Sequence, residues 1–174
     1  GRQRNLGGFS AVIDAMRFSR DGRWLVGRAG NRLLLFSVTP SDDGAPNLSA
    51  IFDTESDAGF LRTPLAESNS VTAYQGFALS NDSQRLAAGS ADGSLRIWLL
   101  PKPGDSPLRL RGHTEQVSGA TFSPDGRMLA TTSLDNSVIF WRVSDGEMIE
   151  TLRTGAEVQQ APAFGRDNRR LYTG

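Results

Sequence analysis

The sequence predicts an all-β protein assembled from repeated four-stranded antiparallel units, and three observations carry that expectation. The first is internal repetition. Met16 to Phe36, Ala78 to Trp98, Thr121 to Trp141 and Ala163 to Thr173 align with one another, and Phe18, Leu79, Phe122 and Phe164 take equivalent places separated by 61, 43 and 42 residues. The second is local pattern: short β-prone runs alternate with clusters of turn residues, and no segment sustains the apolar i, i+3, i+4, i+7 spacing of a helix. The third is composition. A chain of 174 residues with 38% apolar content and no Cys is large enough to bury a core without staples, and it carries neither a disulfide framework nor a thiolate metal site.

The third unit, about residues 112–153, shows the logic most clearly. Val117 to Phe122 is a short strand closed by Ser123, Pro124, Asp125 and Gly126, where Pro presets the turn and Gly supplies the unusual backbone angle. Arg127 to Ser133 returns, and Leu134, Asp135 and Asn136 reverse the chain again. Ser137 to Val143 then alternates Val138, Phe140 and Arg142 with Ile139, Trp141 and Val143. Asp145 and Gly146 turn it into a fourth strand, Glu147 to Leu152. The first unit, about 9–52, reads the same way, with turn charges at Arg20, Asp21 and Arg23, a turn at Pro40 to Pro46 and an outer strand at Leu48 to Phe52. Residues 53–69 form a polar inserted loop that accounts for the long first spacing. The second unit, about 70–111, has its matching turn at Pro101 to Pro107. A half unit, about 157–174, carries Arg166, Asp167, Arg169 and Arg170 in its turn.

Charge narrows the function classes. Nineteen basic residues balance nineteen acidic ones, which argues against broad electrostatic capture of nucleic acid. No run approaches the length of a membrane span, and Gly1 to Gly8 lacks the apolar stretch of a secretory signal. The expected location is the cytoplasm, although the first residue is not Met and a targeting signal could precede it.

Particular residues then point to a family. Gly112-His113 opens the third unit, the run Phe122 to Ala130 reads FSPDGRMLA, Ser133-Leu134-Asp135 follows, and Trp141 closes it; Ser90-Ala91-Asp92-Gly93 and Trp98 repeat the pattern in the second. In these features the sequence resembles the WD-repeat β-propeller family, and the spacings of 43 and 42 fit its roughly 40–45 residue period. The resemblance covers essentially the whole chain and is strongest over Leu108 to Leu152. It implies a β-propeller of four-stranded antiparallel WD-repeat blades, incomplete in this chain at about three and a half blades. Because propellers close on themselves, the resemblance further implies that remaining blades come from the same longer chain or from a second copy.

The resemblance also implies a buried hydrogen-bonded set of His113, Asp135, Trp141 and one strand hydroxyl, Ser133 or Thr131, with Ser90, Asp92 and Trp98 as its partial counterpart in the second unit. Departures from the family pattern are visible. Trp141 is followed by Arg142 and Trp98 by Leu99, where the family often has Asp. Gly-His is missing from the first two units, and Phe36 with Gly30-Asn31 replaces the Trp and the turn Asp of the first.

Catalytic and metal readings are weaker. His113 is the only histidine, and blade cohesion explains its pairing with Asp135 better than acid–base chemistry does. Gly89 to Gly93 has the wrong order for a nucleophile elbow. Asp53, Glu55 and Asp57 alternate as in calcium loops, but Gly59 comes one place late and Pro64 stands where a closing Glu belongs. No cofactor is expected. If the resemblance holds, binding falls on the rim: Thr72, Tyr74 and Ala91 in the second unit, Glu115, Gln116, Ser118 and Leu134 in the third, and Glu157, Gln159 and Gln160 in the fourth. Tyr74 and Leu134 are the best anchors by type. The expected function is a non-catalytic scaffold for a protein or peptide, part of a larger signalling or regulatory chain, with no nucleic-acid or membrane role. The alternative is the accessory propeller of a hydrolase or peptidase, because FSPDGR-type turns also occur in propellers of the TolB and oligopeptidase type.

Overall fold

The computed structural model describes residues 12–29, 32–40, 46–53, 74–100, 107–155 and 161–173. They form three four-stranded antiparallel sheets and one two-stranded sheet, each an up-and-down meander in which consecutive strands pair. The first sheet contains β1 (Ile13–Phe18), β2 (Trp24–Ala29), β3 (Arg32–Pro40) and β4 (Pro46–Asp53); the second β5 (Tyr74–Leu79), β6 (Arg85–Ser90), β7 (Leu95–Leu99) and β8 (Leu108–Leu110). The third contains β9 (Val117–Phe122), β10 (Met128–Ser133), β11 (Ser137–Arg142) and β12 (Met148–Arg153), and the last pairs β13 (Ala163–Phe164) with β14 (Leu171–Tyr172). There is no helix among the described residues, and so none long and apolar enough to cross a membrane.

The turn after the first strand is chemically the same device in the three four-stranded sheets, whereas Gly165 takes the place of the Ser in the last. In the third sheet the Ser123 hydroxyl donates to Asp125 Oδ1 at 2.6 Å, and that carboxylate accepts the Arg127 N–H at 3.0 Å. The Met128 N–H then closes onto Ser123 Oγ at 2.9 Å. Ser19 with Asp21 and Ser80 with Asp82 repeat the arrangement. The fourth position of each turn adopts positive φ: Gly22 at 73°, Ser83 at 59°, Gly126 at 70° and Asn168 at 56°, a region that glycine enters freely and Asn tolerates. These turns also link neighbouring sheets. The Asp21 N–H donates to Ser83 Oγ at 3.3 Å, Asn81 Nδ2 to Pro124 O at 3.1 Å, and the Asp125 N–H to Asn168 Oδ1 at 3.4 Å.

The core lies between sheets, face against face. Val26, Leu33 and Leu35 of the first sheet meet Phe77, Leu86, Ala88 and Trp98 of the second. The opposite face of the second, with Ala87, Leu95 and Ile97, meets Val117, Phe122, Leu129 and Trp141 of the third. Each fully buried Leu contributes about 2 kcal/mol of transfer free energy. Phe140 and Phe164 continue the stack into the last sheet, edge to face at 6.3 Å. Where the first strands converge, side chains disappear: a Cβ on Gly76 would lie 2.7 Å from Gly119 Cα, and one on Gly119 would lie 2.8 Å from Ala161 N.

The sheets therefore share two ends. The lower end carries the turns at 19–23, 80–84, 123–127 and 165–169. The upper end carries residues 91–93, 111–116 and 134–136, tied by Leu134 N–H to Gln116 O at 3.0 Å.

Candidate interaction face and its buried clamp

The upper end of the third sheet is organised by Asp135. It opens the tight turn between β10 and β11, which Asn136 completes at a φ of 62°. Its Oδ1 accepts the Ser137 N–H at 3.0 Å and the Ser137 hydroxyl, while Oδ2 accepts the Thr114 N–H at 2.9 Å and faces His113 Nδ1 at 3.0 Å. A carboxylate only accepts, so Nδ1 carries the imidazole hydrogen and Nε2 is an acceptor. The Thr131 hydroxyl, 2.8 Å from Nε2, therefore donates to the ring, and it accepts the Trp141 indole N–H at 2.8 Å. The His113 side chain is fully buried.

Burial pushes the His113 imidazole below its ordinary pKa and outweighs the opposing pull of the Asp135 carboxylate. For Asp135 the balance runs the other way. Burial acts to raise its pKa, but hydrogen bonds from Ser137, Thr114 and His113 hold the carboxyl below the usual range. Neutral imidazole beside ionised carboxylate is the stable pairing, with every polar atom of the relay satisfied. With both nitrogens engaged and no surface exposed, the imidazole does not reach a solute. What the arrangement does is clamp residues 113–116 onto the β10–β11 turn.

Of the two hydroxyls left open by the sequence, Thr131 is the member of the relay. Ser133 instead donates to the Glu115 carbonyl at 3.0 Å and accepts the Asp135 N–H at 3.1 Å. It holds the same loop from its backbone side. Ser137 was not singled out by sequence reasoning, although the repeated Asp-x-Ser at 92–94 and 135–137 signals it: Asp92 Oδ1 accepts the Ser94 N–H at 2.9 Å and the Ser94 hydroxyl at 2.6 Å.

The second sheet keeps the turn and not the relay. Ala88 takes the place of Thr131, so the second sheet has no hydroxyl at the relay position, and Ser90 is buried at the end of β6. Arg96 places a cationic charge near this turn carboxylate, where the third sheet has a neutral imidazole. Burial raises the Asp92 pKa, but hydrogen bonds from Ser94 and the charge of Arg96 bring it below its usual value. Arg96 is itself buried, on β7.

The rim residues divide into three groups. Ala91, Gln116, Ser118 and Leu134 are half-buried and Glu115 is exposed. The backbone brings 91–93 against 113–115: a Cβ on Gly93 would lie 2.5 Å from His113 O and 3.0 Å from Glu115 O. Tyr74 begins β5 at this end, opposite Ser90. Thr72, Glu157, Gln159 and Gln160 lie outside the described residues, as do residues 54–57 of the acidic alternation. Among the described residues no group of three or more His, Asp or Glu is placed to hold a metal.

Comparison with known proteins agrees with this architecture. Residues 62–98 and 104–142 match the model of the WD domain, G-beta repeat. Over 172 residues, 98% of this chain, the sequence is 28% identical to an uncharacterized WD repeat-containing protein of Synechocystis sp., of which the match spans 43%. It is 36% identical over 92 residues to the Denticleless protein homolog of Danio rerio, covering 50% of this chain and 14% of that protein. The crystal structure of RRP9 WD40 repeats is similar in fold with a TM-score of 0.62, at 23% identity, over 92% of this chain and 43% of that one. The chain thus spans less than half the length of each.

Proposed function

Because the chain belongs to the WD-repeat family, whose members generally serve as scaffolds for protein interactions, we propose that it is a non-catalytic scaffold whose upper end receives a protein or peptide. The observation that carries this reading is the clamp. Hydrogen bonds of Asp135, His113 and Ser133 fix the 113–116 loop, and that loop lies against the 91–93 turn. A loop fixed before binding loses little conformational entropy on binding, which favours affinity. Leu134 is the half-buried apolar anchor of this face and Glu115 its exposed charge.

Thr72, Tyr74, Ala91, Gln116, Ser118, Glu157, Gln159 and Gln160 complete the proposed contact set, and the blades divide at about 9–52, 70–111, 112–153 and 157–174. Further blades, from the same protein or a second copy, complete the ring. Supporting this, Phe122 faces the preceding sheet and is 7% exposed, whereas its counterpart Phe18 is 62% exposed. The test is partner retention. Leu134→Ala and Tyr74→Ala, each checked for native circular dichroism, are expected to weaken capture of a bound protein by about tenfold, as hot-spot truncation does. Unchanged retention of every partner by both variants would count against this face.

A further inference from the structure

We propose that the lower end holds a second docking site, for an acidic segment of a partner protein that inserts an apolar side chain between the first strands. A cavity of about 570 Å³ opens there, lined among others by Arg17, Phe18, Phe77, Leu79, Thr121 and Pro162. All four sheets contribute to it through the lower half of their first strand or the residues just before it. Its lining side chains are otherwise apolar or small, although polar atoms make up the larger part of its exposed wall, and Arg17 is its one charged lining residue. Arg17 is exposed and makes no ion pair among the described residues.

The rim repeats that charge. Arg20 comes two residues after Phe18 and Arg166 two residues after Phe164, so both stand in the turns that lead away from the cavity wall. Residues 20–23, 123–127 and 165–170 together hold six arginines and three aspartates. The three aspartates accept the N–H groups of Arg23, Arg127 and Arg169 of their own loops at 3.1, 3.0 and 3.0 Å, and Asp21 also pairs with the Arg23 guanidinium at 3.8 Å, so the arginines remain in excess. In the second sheet the turn charge is cancelled, since Asp82 pairs with Arg85 at 2.8 Å. An excess of guanidinium groups around a recess with Phe18, Phe77, Leu79 and Pro162 in its lining fits a chain that presents carboxylates on either side of an aromatic or aliphatic residue. The site lies at the opposite end from the proposed rim, so two partners fit without competing.

The probe is a short fluorescein-labelled peptide of alternating Glu and Phe, read by fluorescence anisotropy with the full chain. Saturable binding that weakens with added salt is expected, and Arg17→Glu is expected to weaken it by about tenfold or more. Arg153→Glu, the same charge change on β12 at the upper end, leaves it within about twofold. Arg17→Gln, expected to weaken binding by about threefold or more, carries the test if Arg17→Glu does not fold. Failure of the wild-type chain to bind would overturn the proposal. So would equal affinity for the peptide with Gln in place of Glu, equal loss in Arg153→Glu, or tighter binding of single-stranded oligothymidylate that displaces the peptide.

Discussion

Thr131 is the joint of the clamp, since one hydroxyl serves both the imidazole and the indole. Thr131→Val keeps its shape and strands both groups in the core. The expected cost is about 2 kcal/mol or more in urea denaturation, against about 1 kcal/mol for Ser133→Ala. The pH dependence has a definite sign. Because the folded pKa of His113 lies below its ordinary value of about 6.5, the unfolded chain takes up the proton first. The stability from neutral imidazole is then complete above about pH 6.5 and declines as pH falls below it. Asp135, with its depressed folded pKa, adds stability that is present above about pH 3.9 and lost as pH falls toward its folded value. His113 is the only histidine in the chain, so His113→Gln is expected to flatten the loss of the urea midpoint between pH 7 and 5. His113, Asp135 and Trp141 were legible in the sequence through the resemblance of the third unit to the WD-repeat family. The choice between Thr131 and Ser133 was not, because both lie on one strand face. Register decides it: Thr131 pairs with Ile139 in mid-strand, while Ser133 sits at the strand end near the loop backbone.

At the scale of the element, the turns were readable and the convergence of strands was not. Ser-x-Asp with Gly in fourth place writes its own hydrogen bonds, and Val117–Phe122 is found as expected, with the other three strands of the third sheet shifted at one or both ends by a single residue. The Arg142 N–H closes onto Glu147 O, which starts the last turn one residue early. Nothing local marks Gly76 and Gly119, since what excludes a side chain there belongs to the next sheet. Gly119→Ala would place its Cβ 2.7 Å from Thr132 Oγ1 and 2.8 Å from Ala161 N. It is expected to destabilise the chain by about 1–3 kcal/mol in thermal or urea unfolding, as overpacking does. A smaller effect would mean that the last two-stranded sheet yields easily, leaving β9 free to shift.

At the scale of the molecule, faces that pack in the middle of the stack are open at its beginning. Val12, Met16 and Phe18 on or beside β1 are mostly exposed, whereas the matching face of the third sheet is buried against the second. An uncovered apolar strand of this kind invites pairing, and Met16→Glu is expected to reduce association of the isolated chain in light scattering. The repeat count was legible because each unit carries its own turns; what covers β1 is not written in β1. The proposed interaction function rests on the upper end, where the clamp holds residues 113–116 beside 91–93 and Leu134. Photo-crosslinking tests that claim most directly, with a photoreactive residue replacing Leu134 at the upper end and, for comparison, Ser144 at the lower. A discrete protein adduct from position 134 that Glu115→Arg diminishes is expected. No adduct from position 134, or equal adducts from 134 and 144, would contradict the claim.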